Sequence, residues 1–390
     1  MTDAVIVAAA RTPIGRARKG SLVDVDAFEL AQIAVGAAVE RAGIAAADID
    51  DIVVGESLQG GGVIARNIAV RLGLTSVPGL ADNRHCAAGL SAVQIATSSI
   101  RAGMDRAVVA GGTESLSTSP QVSKPMERGG PPVPWMSPSH PETPDAPTFD
   151  MSITVGENTA RELGLTRRDV DEWALYSTEN ALRSIDEGAF EAEIVPVPVT
   201  DPDGNERLFS VDEHPRRGSS MDTLGALPVL HPEIEGATVT AGNAAGLNDG
   251  AAAMVITSSE FARSHGLKPM ARIVSWASAG IEPARTGLGP TLAIPKALDR
   301  IGMAIGDIEL WEVNEAFCSV PVATSRKLGI AQEIMNVNGS GASLGHPIAC
   351  TGARMVVTMV NELQRRGKTL GCVSMCAGGG MGSALVLEAV

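Results

Sequence analysis

A segment near residue 40 recurs near residue 300, and this recurrence limits the possible folds more than any single motif does. Ala38-Val39-Glu40-Arg41-Ala42-Gly43-Ile44 resembles Ala297-Leu298-Asp299-Arg300-Ile301-Gly302-Met303. Each copy is followed, five residues after its glycine, by an Asp-Ile-acid triplet: Asp48-Ile49-Asp50 and Asp307-Ile308-Glu309. The two glycines stand 259 positions apart. A second echo pairs Ala110-Gly111-Gly112 with Ala377-Gly378-Gly379. An internal repeat is a statement about architecture: two similar halves can pair face to face, with a site at their junction.

The pattern within the first half alternates strand and helix. Residues 4–10 read as a buried strand, 26–42 as a helix stopped by Gly43, 49–54 as a strand, and 64–72 as a helix after the Gly60-Gly61-Gly62 turn. An apolar helix over 87–100 and a buried strand over 107–110 follow. Such alternation predicts an α/β fold with a largely parallel sheet. The pattern breaks after Ser117. Residues 125–148 hold eight prolines, which excludes helix and central strand and predicts an irregular loop or extended arm. Helices return over 152–163 and 166–187, the latter capped by Thr166 with Asp169 at its third position. Strands resume at 251–256 and 271–276, and a helix is expected over 351–364. The expected division is 1–116 plus 250–268 as one half, 117–249 as an inserted loop domain, and 269–390 as the other half.

Composition removes several classes of function. The net charge of −14 offers no basic face for nucleic acid, and an anionic ligand would need local arginines. No apolar run reaches the ~18 residues that span a bilayer. Five cysteines, an odd number scattered at 86, 318, 350, 372 and 376, argue for reduced thiols in a cytoplasmic compartment rather than disulfides. Their spacing supports no zinc site, so no metal is expected.

The chemistry is expected at Cys86. It follows the polar turn residues Asn83-Arg84-His85 and precedes the apolar helix, so it should lie in that helix's first turn, where the partial positive charge favours a thiolate. A buried structural cysteine is the alternative. His346 stands 260 positions later, in Gly345-His346-Pro347, after a glycine-rich turn and before a helix. Cys86 and His346 therefore occupy equivalent turns of the two halves, and a pseudo-twofold axis would let them converge.

Asn314-Glu315-Ala316-Phe317, Gly345-His346-Pro347 and Cys376-Ala377-Gly378-Gly379-Gly380, taken with Asn83-Arg84-His85-Cys86, resemble in order and spacing the motifs of the thiolases. Arg11-Thr12-Pro13-Ile14-Gly15, Gly111-Gly112-Thr113-Glu114-Ser115 and the stretch from Thr240-Ala241-Gly242-Asn243 to Asn248-Asp249-Gly250 extend the resemblance along the whole chain. It implies a thiolase-like fold, two α/β halves in α-β-α-β-α layers, and a homodimer or a homotetramer made of two dimers. It implies acyl transfer between coenzyme A thioesters, with acyl-CoA and CoA as substrates and no permanently bound cofactor. Cys86 would be the nucleophile, His346 its base and Cys376 the second acid/base. Asn314 would hold a water at the enolate oxygen, and the amides of Cys86 and Gly378 would form the other oxyanion hole. Arg216 would meet the nucleotide end of coenzyme A, and Ala245 and Met151 match positions beside its pantetheine.

The chain departs from the family pattern in places. Ala245 stands where a serine is frequent, Asp150 where short-chain enzymes often carry histidine, and Gly339-Ser340-Gly341-Ala342-Ser343 and Ala349-Cys350-Thr351 differ from the usual runs. Asp150 argues against strict acetoacetyl-CoA specificity. A ketoacyl synthase-like enzyme is disfavoured by the second cysteine, a Cys–His hydrolase by the lack of a water-activating group, and a silent CoA-binding scaffold by the intact Cys86, Asn314, His346 and Cys376 set.

Overall fold

The computed structural model describes residues 2–59, 61–125, 129–201 and 203–390; Gly60 of the expected glycine turn lies outside the described residues. The central sheet contains β1 (Ala4–Arg11), β2 (Asp51–Gly55), β3 (Leu80–Asp82), β4 (Ala107–Ser115), β5 (Asn248–Ser258), β6 (Ala271–Gly280), β7 (Leu310–Val313), β8 (Leu370–Ala377) and β9 (Met381–Ala389), with Gly15–Arg16 pairing β5. Their order is β7-β8-β9-β6-β1-β5-β4-β2-β3. Two groups of strands meet at β1 and β6 through only two residue pairs, Val5–Arg272 and Ile6–Ala271.

The sheet is mixed, not largely parallel as the alternation suggests. Only β2/β3, β2/β4 and β7/β8 run parallel. After the long insertion the chain returns antiparallel beside β4, and β8 turns back on β9 through the triple glycine. Parallel neighbours require a crossover; the β8–β9 link is a tight turn, and the insertion, although it carries α3, brings the chain back in the opposite direction.

Five helices build the layers: α1 (Ala27–Ala42), α2 (Ala88–Ala102), α3 (Arg167–Asp186), α4 (Gly289–Asp299) and α5 (Thr351–Arg366). α1 covers β1, β4 and β5 in one core. α2 and α5 pack on each other in a middle core that takes side chains from both groups of strands. α4 covers β6 and β9 in a third core, to which α3 adds Val170, Trp173 and Ala174. The fold is therefore mixed α/β in α-β-α-β-α layers. Leu90, Ile100, Val356 and Val360 in the middle core are fully buried; each contributes roughly 1.5–3 kcal/mol, so separating the halves would expose apolar surface that is fully covered in the fold.

The repeat holds at the level of backbone. Gly43 caps α1 with φ of 65°, and Gly302, with φ of 66°, stands in the turn three residues beyond the end of α4 at Asp299; each is followed by a single 3₁₀ turn, Ala46–Asp48 and Ile305–Asp307. A left-handed residue at that place satisfies the last helical carbonyls, and glycine adopts it without steric cost.

Within the insertion, α3 carries the expected capping box between Thr166 and Asp169. The proline-rich arm forms one short ladder, Ser123–Lys124 against Val133–Pro134. The expected helix over 152–163 begins as a wide π turn, Ser152–Glu157, and continues as Asn158–Leu163. Among the described residues no helix is long and apolar enough to cross a membrane.

Candidate active site

Cys86 lies two residues before α2, whose N-cap is Ala87. This corrects the expected place in the first helical turn. Cys86 is half-buried, and the loss of water around its sulfur pushes the pKa up to about 11, against the opposing pull of the Gly378 and Cys86 amides. The resting group is therefore a thiol, and the helix end does not supply the thiolate that the sequence reading favours. Desolvation dominates because a thiolate at this point would lose water on most sides. The two amides that aim at the sulfur are still a preorganised pair of donors.

The turn that carries Cys86 is anchored on the opposite half. Arg84 Nη1 donates to Ser278 Oγ on β6 at 2.7 Å and to Gln94 Oε1 on α2 at 3.2 Å, and Gln94 Nε2 donates to Ser383 Oγ on β9 at 2.8 Å. Close backbone approach completes the junction. A Cβ added at Gly89 would sit 2.5 Å from the Ala349 oxygen, and one added at Gly352 would sit 2.6 Å from the Leu90 nitrogen. Gly89 N–H donates to that same Ala349 oxygen at 2.9 Å. The starts of α2 and α5 thus touch backbone to backbone.

His346 lies in the segment that leads into α5. Its backbone N–H donates to Asn248 Oδ1 at 3.0 Å. Thr351 Oγ1 donates to the Pro347 carbonyl at 2.8 Å and lies 2.6 Å from His346 Nδ1. With the threonine hydrogen already used, Nδ1 is the donor and Nε2 keeps a lone pair. Nε2 lies 3.4 Å from Asn314 Nδ2, a donor that suits a lone pair. Burial lowers the His346 pKa to about 3, with Arg354 adding to the effect. The imidazole is neutral at rest and basic at Nε2.

Asn314 follows β7, and its backbone N–H donates to the Ser374 carbonyl on β8 at 2.9 Å. Its Oδ1 is buried and has no partner among the described residues. The neighbouring Glu315 is fully buried and accepts from Trp173 Nε1 at 2.9 Å, Ser177 Oγ at 2.6 Å, Asn336 Nδ2 at 2.6 Å and Ala342 N at 3.2 Å. These bonds fix the loop that presents Asn314. Cys376, near the end of β8, is buried; burial raises its pKa and the adjacent Cys86 raises it further. Gly378 follows in the turn to β9.

The structure thus sets Cys86 against the Gly378 amide and next to Cys376, and Asn314 against His346. The segments that carry Cys86 and His346 lead into α2 and α5, whose starts are in contact. Burial favours the protonated form of both thiols and the neutral form of the imidazole, so a thiolate would form only where its charge is stabilised.

A second cleft is lined by His214, Arg216, Arg217, Ser219, Leu224, Gly242 and Ser343, among others. Arg216 is exposed there, whereas Arg217 is paired with Asp186. Ala245 and Met151 are not part of the described lining. Ala245 N–H donates to Ala316 O at 3.0 Å, and Met151 packs on the third core. Asp150 accepts from Ser152 Oγ at 2.5 Å and lies 3.5 Å from His231.

Three supporting residues lie in stretches that the motif reading quotes but gives no role. Asn248 holds the His346 backbone and also donates to Gly15 O at 2.9 Å. Thr351 orients the imidazole. Glu114, whose pKa burial raises to about 7, accepts from Leu58 N and Ala349 N at 3.1 Å each and from Gln59 Nε2 at 2.5 Å. Their signal in the sequence is their place in those stretches; the hydrogen bonds that give them a role are visible only in the fold.

The chain matches the family model "Thiolase, N-terminal domain" over residues 4–260 and "Thiolase, C-terminal domain" over 267–389. It is 41% identical to an acetyl-CoA acetyltransferase of Escherichia coli (strain K12), covering 100% of this chain and 99% of that protein. It is 39% identical to a 3-ketoacyl-CoA thiolase of Bacillus subtilis (strain 168), covering 100% of both. Among solved structures it is similar to human mitochondrial 3-ketoacyl-CoA thiolase in complex with CoA, with a TM-score of 0.90, 31% identity, and coverage of 100% of this chain and 98% of that one. On both family models and these full-length likenesses, the chain belongs to the thiolase family.

Proposed function

We propose that this chain cleaves 3-ketoacyl-CoA with coenzyme A, yielding acetyl-CoA and a shortened acyl-CoA through an acyl group on Cys86. The reading is supported by a thiol under two amides with a second thiol beside it, and by a neutral histidine whose Nε2 faces Asn314.

Cys86 Sγ attacks the 3-keto carbon while its proton passes to His346 Nε2. The Cys86 and Gly378 amides hold the oxyanion that forms on that carbon. The bond between C2 and C3 then breaks, leaving the acyl group on Cys86 and an enolate of acetyl-CoA. Cys376 protonates the enolate carbon. His346, and Asn314 through a water, stabilise the enolate oxygen; the buried Asn314 Oδ1 without a partner is the acceptor such a water needs. Coenzyme A then attacks the acyl-Cys86 thioester, its thiol proton passing to the Cys376 thiolate, and Cys86 leaves with the proton held on His346, which restores all three groups. Each step creates negative charge on oxygen, and preorganised donors are worth most where that charge develops.

Coenzyme A would lie in the cleft lined by His214, Arg216 and Ser219, the arginine offsetting the net negative charge of the chain. We assign residues 1–116 with 250–268 to one half, 117–249 to the coenzyme A-binding insertion, and 269–390 to the other half. A homodimer or a homotetramer built from two dimers is the proposed assembly, and the five free cysteines suit the cytoplasm. A second reading, an acetoacetyl-CoA thiolase acting in condensation, draws support from relatives named acetyl-CoA acetyltransferase.

The test has two arms. Acetyl-CoA should add one acetyl group to the peptide that contains Cys86, and thiolysis should be measured over C4 to C16 3-ketoacyl-CoAs. Labelling elsewhere with Cys86→Ala still active would remove the nucleophile assignment. Highest kcat/KM at C4 would favour the second reading, and release of free acid would indicate a hydrolase.

A further inference from the structure

The residue just before the nucleophile has a backbone conformation and a neighbourhood that the cleavage chemistry does not require. His85 has φ of 47°, one of three described non-glycine residues in the left-handed region. Its backbone N–H is held by Asn83 Oδ1 at 2.8 Å. A bulky residue in that conformation carries strain, and strain of this kind gathers at functional sites. The turn directs the imidazole toward the oxyanion loop. A Cβ added at Gly378 would lie 3.7 Å from His85 Cγ and 3.8 Å from Ser139 Cβ, and one added at Gly379 would lie 2.7 Å from the Ser139 oxygen. His85, Ser139 and Gly378 therefore border one small space beside the amides that aim at Cys86.

The hydrogen bonds around that space fix what it offers. His140 Nε2 lies 3.0 Å from the Ala146 carbonyl, so Nε2 is the protonated nitrogen. His140 Nδ1, 2.9 Å from Ser139 Oγ, then accepts the serine hydrogen. Ser139 Oγ is left with acceptor capacity only. The His85 ring makes no hydrogen bond among the described residues, although it is half-buried. A purely hydrocarbon chain against it would strand a ring donor and a ring acceptor away from water.

We propose that His85, with Ser139, is a specificity-determining residue that hydrogen-bonds an oxygen substituent on the acyl chain carried by Cys86, so that the preferred substrates are 3-ketoacyl-CoAs with a hydroxyl or carboxyl group on that chain. This rests on acylation of Cys86. A hydroxyl can donate to Ser139 Oγ and accept from the imidazole N–H. A carboxylate can only accept, so it would draw a proton onto His85. Comparing the two tells them apart.

The experiment measures kcat/KM for thiolysis of three six-carbon substrates by the full chain: 3-oxohexanoyl-CoA, 6-hydroxy-3-oxohexanoyl-CoA and 3-oxoadipyl-CoA. At least one oxygenated substrate should exceed the alkyl one by tenfold or more, and the better of the two identifies the group. His85→Leu should narrow that ratio to within threefold. Because leucine is poorly suited to a left-handed residue, His85→Asn and Ser139→Ala serve as further variants, and each should narrow the ratio. A wild-type enzyme that treats the three alike, or favours the alkyl chain, overturns the proposal. So do variants that lower all three rates in proportion, which would be the mark of a structural role. Mass spectrometry of Cys86 after acetyl-CoA treatment separates the two levels: acylation without an oxygen preference sinks this inference alone, and no acylation sinks the catalytic reading with it.

Discussion

Thr351 Oγ1 lies 2.6 Å from His346 Nδ1 and gives its own hydrogen to the Pro347 carbonyl. One hydroxyl therefore decides which nitrogen of the base is free. Thr351→Val keeps the shape and removes that acceptor, so the imidazole can rotate or change tautomer. The expected result is a fall in kcat of about 10- to 100-fold, the range for a slightly misplaced catalytic group, with KM little changed. Steady-state thiolysis checks it, and an unchanged kcat would show that Pro347 and Asn248 position the ring without the threonine.

The two thiols should separate in function. Cys376→Ser keeps a group of similar shape with a much higher pKa than a thiol. Acetylation of Cys86 should survive, while carbon–carbon cleavage falls by about 10²–10⁴, the usual weight of a general acid/base. Isotope exchange into the acetyl-CoA methyl should fall in step. Loss of acetylation as complete as in Cys86→Ala would end this division of labour.

Glycines 378 and 380 should respond differently to alanine. A Cβ at Gly378 would meet nothing closer than 3.7 Å, so Gly378→Ala should fold normally and lose turnover, by about 10²–10³ if the amide can no longer reach the oxyanion. At Gly380, φ is 82° and the Cβ would lie 2.1 Å from the Ile281 oxygen. Gly380→Ala should lose roughly 1–3 kcal/mol of stability or more. Thermal midpoints and kcat measured on both variants check the contrast.

His346 should leave a mark on the pH dependence of stability. Its pKa is about 3 when folded and about 6.5 when unfolded. Between those values the unfolded chain binds a proton that the folded chain refuses, so stability rises with pH across that window and levels off above about 6.5. The slope from this one group reaches about 1.4 kcal/mol per pH unit. His346→Gln should flatten the curve by that one proton, read as urea midpoints between pH 4.5 and 6.5. Equal slopes in the two proteins would show that the imidazole is already protonated in the fold.

Much of this arrangement is visible in the sequence because it depends on local rules. Gly43 ends α1 as its position implies, and the Thr166–Asp169 cap forms. The contact between the starts of α2 and α5, the helices that follow Cys86 and His346, agrees with the equivalence that the repeat suggests. What stays hidden depends on long-range contact. The strand directions turn on where the insertion returns the chain, which no local pattern records. The protonated state of Cys86 turns on burial by segments far away in sequence, which outweighs the helix end next to it. Asn248 and Thr351 act through single hydrogen bonds to a residue whose place only the fold defines. Equivalence of the Cys86 and His346 turns is also looser than the 260-residue offset suggests, because α5 starts five residues after His346 whereas α2 starts two after Cys86.

The backbone contact of Gly89 with Ala349 has a consequence in time. During synthesis at ~5–20 residues per second, the ribosome makes Cys86 long before it makes Ala349, so the nucleophile waits roughly tens of seconds for its base. Over that interval the turn lacks the Gly378 amide, the neutral imidazole and the second thiol, and Cys86 is an ordinary cysteine. The surroundings that raise its pKa arrive only when the second half docks, glycine against backbone, on the first. On the proposed roles, the thiol is thus held protonated from the moment its partners are in place.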